Sequence, residues 1–598
     1  MTERTVAALC FSLLGLAAAC GKGGPAQTCR TGVAVDIGGA FPPGTVLRDG
    51  YGDCTAIVDG SGKVNVQPGA SGLALLEKDG SQPMPFDWRN AVVYFAMTDR
   101  FANGDTSNDH GYGTRPLDGE QEVGTWHGGD WKGLAGKLDY LKALGVSAIW
   151  ISPIVEQVHG WAAGGDRGEF RHYAYAGYWA LDFTRLDANW GSEADLHALV
   201  DGAHALGIRV LVDVVLNHPG YATGADLVAY LPEVFTDGTG QGFKNFTPNF
   251  NAATNPGWYG WNDLVDYHSP GWGNWWSPRW IRAGLGASGQ FDPGGNTDQT
   301  RQLSFLPDFK TESPAVADKP VLFDRKTGTA FATRPNFTVR DYLVQWQSDW
   351  VRKFGFDGFR CDTALNVETG SWAALKGAAT SALTAWKAAN PSKKIDDAQF
   401  WMTGEVYGHD VAKDEYFTQG GFDSLINFAF QGRLRQALAY SGDLVAANAE
   451  VERLYAGMSN ALTGDPGLQV LSYLSSHDTG LMYADLKYDA KKQMQAGAAL
   501  LLAPGAVQLF YGDESGRRLG PSATDQTQGT RSDMNWSSID AGLLAHFQKL
   551  VAFRRRHAAV GQGIHAKLAS PAGSYAFSRK LDAGGGNDAV VVVLVPPT

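Results

Sequence analysis

YLVQWQSDWVRKFGFDGFRCD (342–362) reads as helix, stop and strand. Tyr342, Leu343, Trp346, Trp350 and Val351 fall on one face at helical spacing. Gly355 ends the helix, and Phe356–Arg360 is an apolar run of strand length. The strand delivers Asp362 at its end. Arg360, two residues earlier, points to the same face because side chains alternate along a strand. The same unit recurs upstream. A helix from about Trp131 carries Leu134, Leu138, Leu141 and Leu144, stops at Gly145 and feeds the strand Val146–Ile151. Ser192 and Asp195 open another as a capping box, with Leu196, Leu199, Val200 and Ala203 on the stripe, Gly207 as stop and Ile208–Leu216 as strand. Ala91–Met97 precedes these units, and Phe400–Thr403, Ser424–Phe428, Val470–Leu474 and Ala506–Tyr511 follow. Strand and helix in this alternation predict a parallel α/β fold, a (β/α)8 barrel.

Two further carboxylates end apolar strands, Glu405 in WMTGEVYG and Asp478 in YLSSHD. In a barrel such strand ends gather at one face, where the active site sits. Two carboxyls facing each other across a bond are what glycoside cleavage needs.

With 598 residues the chain can bury a large core and should divide into several domains. A net charge of -12 argues against non-specific nucleic-acid binding. The 19 Trp and 21 Tyr fill a core and, at some positions, are expected to serve as platforms for sugar rings. Residues 1–20 read as an export signal, with an apolar Val6–Ala19 too short for a stable membrane anchor. Small residues before Cys20 resemble the bacterial lipobox, which would lipidate that cysteine; ordinary cleavage after Ala19 is the alternative. No other segment is long and apolar enough to span. Cys29 and Cys54 are expected to pair in an oxidising compartment, and Cys361 to be a buried small hydrophobe.

The motifs GVSAIWISP (145–153), DVVLNH (213–218), LPDF (306–309), GFRCDTALN (358–366), GEV (404–406) and SSHD (475–478) occur in one order. That ordered set resembles the α-amylase superfamily, glycoside hydrolase family thirteen, from about Ala91 to the end of the chain. VYFAMTDRFANGD, HYAYAGYWALDF and QGTRSDMNW bring it nearest the exported or periplasmic bacterial branch. The resemblance implies a retaining endo-hydrolase of α-1,4-glucosidic bonds. Asp362 resembles the nucleophile, Glu405 the general acid, and Asp478 the carboxylate that grips the sugar's 2- and 3-hydroxyls. Arg360 would align the nucleophile. His218 and His477 resemble the histidines that bind the glucose at the cleavage site, and Tyr178 the ring stacked beneath it, with Trp179 beside it. Leu365-Asn366 stand where the family usually has Lys-His, and Ser476 replaces an Asn. A transglycosylase or a maltooligosaccharide- or cyclodextrin-releasing relative would use the same residues. A glucan-binding surface lipoprotein without turnover is a reading from another class, which the three intact carboxylates oppose.

By the same resemblance Asn217, Asp308 and the Asn366 carbonyl would bind a structural Ca2+. Asn103, Asp105, Asn108 and Asp109, with Gly128 and Asp130, resemble a second calcium loop of cyclodextrin-forming relatives; an Asx-rich turn is the alternative. No His/Cys spacing suggests zinc. The expected partner is an α-glucan, with no nucleic acid, a membrane only through the lipid, and a monomeric, exported, periplasmic or cell-surface enzyme. The expected domains are a β module at 25–85, the barrel at 88–217 and 340–556, an inserted domain at 218–339 and terminal strands at 557–598. The two end segments are expected to complete one β-domain, the rival being an independent N-terminal carbohydrate-binding module.

Overall fold

The computed structural model describes residues 27–113, 123–165, 169–242, 264–266, 269, 271, 274–282, 294–440, 444–583 and 586–596. The signal segment with Cys20, and Trp258, Trp261 and Trp272, lie outside them. Eight strands close a parallel barrel in chain order: Val92–Ala96, Ala148–Ile151, Arg209–Val214, Gly358–Cys361, Trp401–Gly404, Ser424–Asn427, Val470–Tyr473 and Ala506–Phe510. Each is buried along its whole length, which is why it reads as a mainly apolar run. The register sets Asp213 beside Arg360 and Arg360 beside Thr403, bringing charged chains of neighbouring strands together.

Helix Glu193–Ala205 opens with the Ser192–Asp195 box, and helix Val339–Phe354 with the same device from Thr338 and Asp341. Gly355 ends the latter in the left-handed conformation, φ 80°. A Cβ there would also lie 2.3 Å from the Trp386 ring. The single helix expected from Trp131 is two, Trp131–Ala135 and Leu138–Leu144. The break falls at Gly136 and Lys137, where glycine weakens the helix, and the four leucines still face the core.

Two hairpins follow the second barrel strand, Val155–Gln157 with Ala180–Leu186 and Trp161–Gly164 with Phe170–Tyr173. In the inserted stretch, Trp275, Trp276 and Trp280 are each 0% exposed. Trp276 packs on Phe309, and Trp280 stacks on Trp346 of helix Val339–Phe354. These three indoles are core, not sugar platforms.

Both ends of the chain share one antiparallel sheet, ordered Ile564–Lys567, Tyr575–Ala583, Gly586–Leu594, Leu73–Lys78, Val46–Asp49, Cys54–Ile57. Val590 pairs with Glu77 and Leu594 with Leu73. The outer side of the sheet encloses a second core with Val35, Ile37 and Val64. Cys29 and Cys54 form a disulfide. Against the barrel, Glu77 takes Arg556 at 2.9 Å, and His557 bridges Glu77 and Asp588.

Candidate active site

Asp362 and Glu405 are the residues that follow the fourth and fifth barrel strands, and His477 and Asp478 lie in the turn after the seventh. All stand at the C-terminal mouth of the barrel. A cleft of about 670 Å³ opens there, lined by Tyr178, Trp179, His218, Asp362, His477, Asp478 and Arg531, among others.

Arg360 is the hub. One guanidinium nitrogen lies 2.7 Å from Asp362 and 3.0 Å from Asp213; the other lies 2.9 Å from Glu405. One rigid fork therefore holds Asp362 and Glu405 at short range from each other. The Thr363 N–H donates to Glu405 at 3.0 Å. Asp213 is in turn bound by the Tyr178 hydroxyl at 2.8 Å and the Trp150 indole N–H at 3.1 Å. The Tyr178 ring lies parallel to His477, centroids 5.4 Å apart. Asp478 is held at one oxygen by His477 (3.0 Å) and at the other by Arg531 (2.9 Å). His218 Nε2 meets the Tyr178 carbonyl at 3.1 Å. Trp179 packs edge-on to His172 and Tyr221 at the cleft wall.

Burial pushes Glu405 up to about 8, and the charges of Asp362 and Asp478 add to it, while Arg360 opposes. Burial acts on Asp478 in the same direction, but His477, Arg531 and Arg360 outweigh it and hold this carboxyl below its ordinary value. Two carboxyls with opposite shifts at one barrel mouth are the pattern of an acid paired with an anion. Burial lowers His477 to about 4 and also lowers His218, so both rings are neutral near pH 7.

The Asn217 side-chain oxygen faces Asp308 Oδ1 at 3.2 Å and the Asn366 carbonyl at 3.1 Å. Three oxygens meeting without a proton between them require a reversed amide or a hard cation. A carboxylate, an amide oxygen and a backbone carbonyl are calcium's ligand types, so the residues fit the ion. The other Asp308 oxygen is bound by Arg282 at 2.6 Å. The second group also comes together, with Asn103 donating to Asp109 at 2.8 Å and a Cβ on Gly128 meeting both. Asp130 accepts from the N–H groups of Gly104, Asp105 and Gly133 and from the Asn108 amide. Asp105 accepts from Ser107 and Lys132. Here the carboxylates are engaged by protein donors, as in a turn and a helix cap, while Asn108 Oδ1 is buried without a hydrogen-bond partner. Among the described residues no group of three His, Cys, Asp or Glu side chains is placed to hold a metal.

Sequence reasoning passed over Asp213 and Arg531. A carboxylate inside the apolar run VLVDVVL was a usable signal, since an unpaired charge is not buried. Arg531 comes from a loop inside the phrase QGTRSDMNW, where no strand end or helical spacing assigns it a role.

A family model described as the alpha amylase catalytic domain matches residues 95–228 and 331–541. The chain belongs to the alpha-amylase family. It is 46% identical over 575 residues to the periplasmic alpha-amylase of Escherichia coli strain K12, covering 94% of this chain and 80% of that protein. An alpha-amylase of Streptomyces lividans is 29% identical over 532 residues, 79% of this chain and 51% of that one. Among solved structures, the alpha-amylase of Geobacillus thermoleovorans in complex with acarbose shares the fold, with TM-score 0.54 and 21% identity over 83% of this chain and 86% of that one. The matched alpha-amylase segments contain the barrel-mouth residues above. They leave out 229–330 and the strands of the shared terminal sheet.

Proposed function

We propose that this alpha-amylase family member is an exported α-amylase that cleaves α-1,4-glucosidic bonds of starch, glycogen and maltodextrins internally, with retention. The observation that carries the mechanism is Arg360 in contact with both Asp362 and Glu405 at the mouth of the cleft. Asp362 attacks the anomeric carbon. The bond to the leaving sugar breaks as Glu405 passes its proton to the leaving oxygen, and a glycosyl ester forms on Asp362. Water then attacks the same carbon, Glu405 takes its proton, and the ester breaks. Burial leaves Glu405 protonated near neutrality, as the first step needs. Asp478 grips the 2- and 3-hydroxyls, His218 and His477 line the same sugar, and Tyr178 supports its face with Trp179 at the wall.

Ca2+ would be held by Asn217, Asp308 and the Asn366 carbonyl, where it supplies cross-linking between the barrel and the inserted stretch. The loop of Asn103, Asp105, Asn108 and Asp109, with Gly128 and Asp130, is the site proposed for a second ion. Export through segment 1–20, with lipidation at Cys20, completes the reading. The likeness to a periplasmic relative supports the export, and the small residues before Cys20 support the lipidation.

Reducing-end release from soluble starch tests the activity. The wild type should release sugar, and Glu405→Gln should lose about 10²–10⁴-fold, the usual worth of a general acid. Newly formed ends, followed by NMR, should appear as the α-anomer. Products born as β-anomers, or no release by the wild type, would overturn the proposal.

A further inference from the structure

The phrase QGTRSDMNW ends up against the catalytic carboxylates, through one residue. Arg531 Nη2 donates to Asp478 Oδ1 at 2.9 Å, and its Nε donates to the His477 carbonyl at 3.1 Å. The Thr530 hydroxyl takes the same carbonyl at 3.0 Å. The loop after the eighth strand therefore grips the turn after the seventh at two successive residues. The arginine side chain is 12% exposed, and Asp478 is 33% exposed toward the cleft. Arg360 cannot do this work, since Asp213, Asp362 and Glu405 already occupy it.

We propose that Arg531 is a positioning residue for Asp478, clamping the carboxylate and the preceding carbonyl so that Asp478 stays the sugar-gripping anion and the acid proton stays on Glu405. The proposal rests on the roles proposed above for those two residues. Its physical basis is charge placement. Asp478 faces His477, Arg531, Arg360, Glu405, Tyr178 and Tyr473. Glu405 faces Arg360, Asp362, Asp478, Tyr473 and the Thr363 N–H. His477 is neutral at working pH, so Arg531 is the full positive charge in contact with Asp478. Without it, the two carboxyls would compete for one proton on more equal terms. Bound at two points, the guanidinium also fixes which Asp478 oxygen edge meets the sugar.

The test uses the full chain, maltoheptaose as substrate and pH profiles of kcat and kcat/KM for the wild type, Arg531→Gln and Arg531→Lys, with thermal midpoints for each. Arg531→Gln should lose about 10- to 100-fold in kcat, the usual cost of removing such a supporting contact. Its acid limb should move to higher pH, because Asp478 protonates sooner. Its alkaline limb should not move to lower pH, because losing a nearby positive charge makes Glu405 harder to ionise. Arg531→Lys keeps the charge but cannot hold carboxylate and carbonyl together. It should lose kcat with its limbs near those of the wild type, and it carries the test by itself if the glutamine variant does not fold. An acid limb that stays in place in Arg531→Gln would overturn the proposal, as would a rise in KM with kcat unchanged in either variant. A wild type inert on maltoheptaose would instead fail the glucan-hydrolase reading.

Discussion

A guanidinium with 1% exposure is tolerable at Arg360 because three carboxylates surround it. The same crowding sets the state of Glu405. In an unfolded chain a glutamate titrates near 4.3; here burial and two neighbouring anions move Glu405 up to about 8. Between those values the folded protein holds a proton that the unfolded chain has released. Stability therefore falls as pH rises through this window. Glu405→Gln removes the titration, so its thermal midpoint should decline less than that of the wild type from pH 5 to pH 8. Identical slopes in parallel melts would rule this out. Asp362, Glu405, Asp478 and Arg360 were legible in sequence because each sits at or beside a strand end. The partition of charge among them was not, because it depends on which guanidinium reaches which carboxylate.

At the scale of elements, the helix–glycine–strand unit of residues 339–361 shows how local rules place the site. Thr338 and Asp341 cap the helix reciprocally, Gly355 terminates it, and the strand it feeds ends on Arg360 and Cys361, just before Asp362. Thr338→Ala should cost about 1 kcal/mol, typical of losing such a cap. The expected result is a lower thermal midpoint with kcat on starch unchanged at 25 °C. A large loss of kcat without a fall in midpoint would mean that the cap acts on the site directly. All eight barrel strands were legible to within two residues at each end, because a run buried on both faces is mostly apolar. The hairpins after the second strand were not, since Trp161–Gly164 and Phe170–Tyr173 are short and carry mixed polarity. The two-helix break at Gly136 was missed for a similar reason, as the leucine spacing continues across it.

The whole molecule brings distant parts together, and Asn217, Asp308 and the Asn366 carbonyl meet from three separate segments. If Ca2+ links them, a chelator should lower the thermal midpoint and added Ca2+ restore it. Binding at a thousandfold excess over Kd would stabilise the fold by about 4 kcal/mol. Asn217→Ala should lose most of that response, and a variant that responds as fully as the wild type would place the ion elsewhere. The terminal sheet is a tie, with Leu73–Lys78 paired to Gly586–Leu594 across nearly the full chain. By itself the sequence determined the order of barrel strands, the glycine stops and the strand-end carboxylates. These follow from side-chain periodicity and burial within a few neighbouring residues, which a linear text carries. Tertiary structure alone decided that Arg360 serves three carboxylates while Arg531 serves the fourth, and that the tryptophans 275, 276 and 280 turn inward. Each of those outcomes is a contact between segments far apart in the chain, and its energy depends on partners that no local stretch contains.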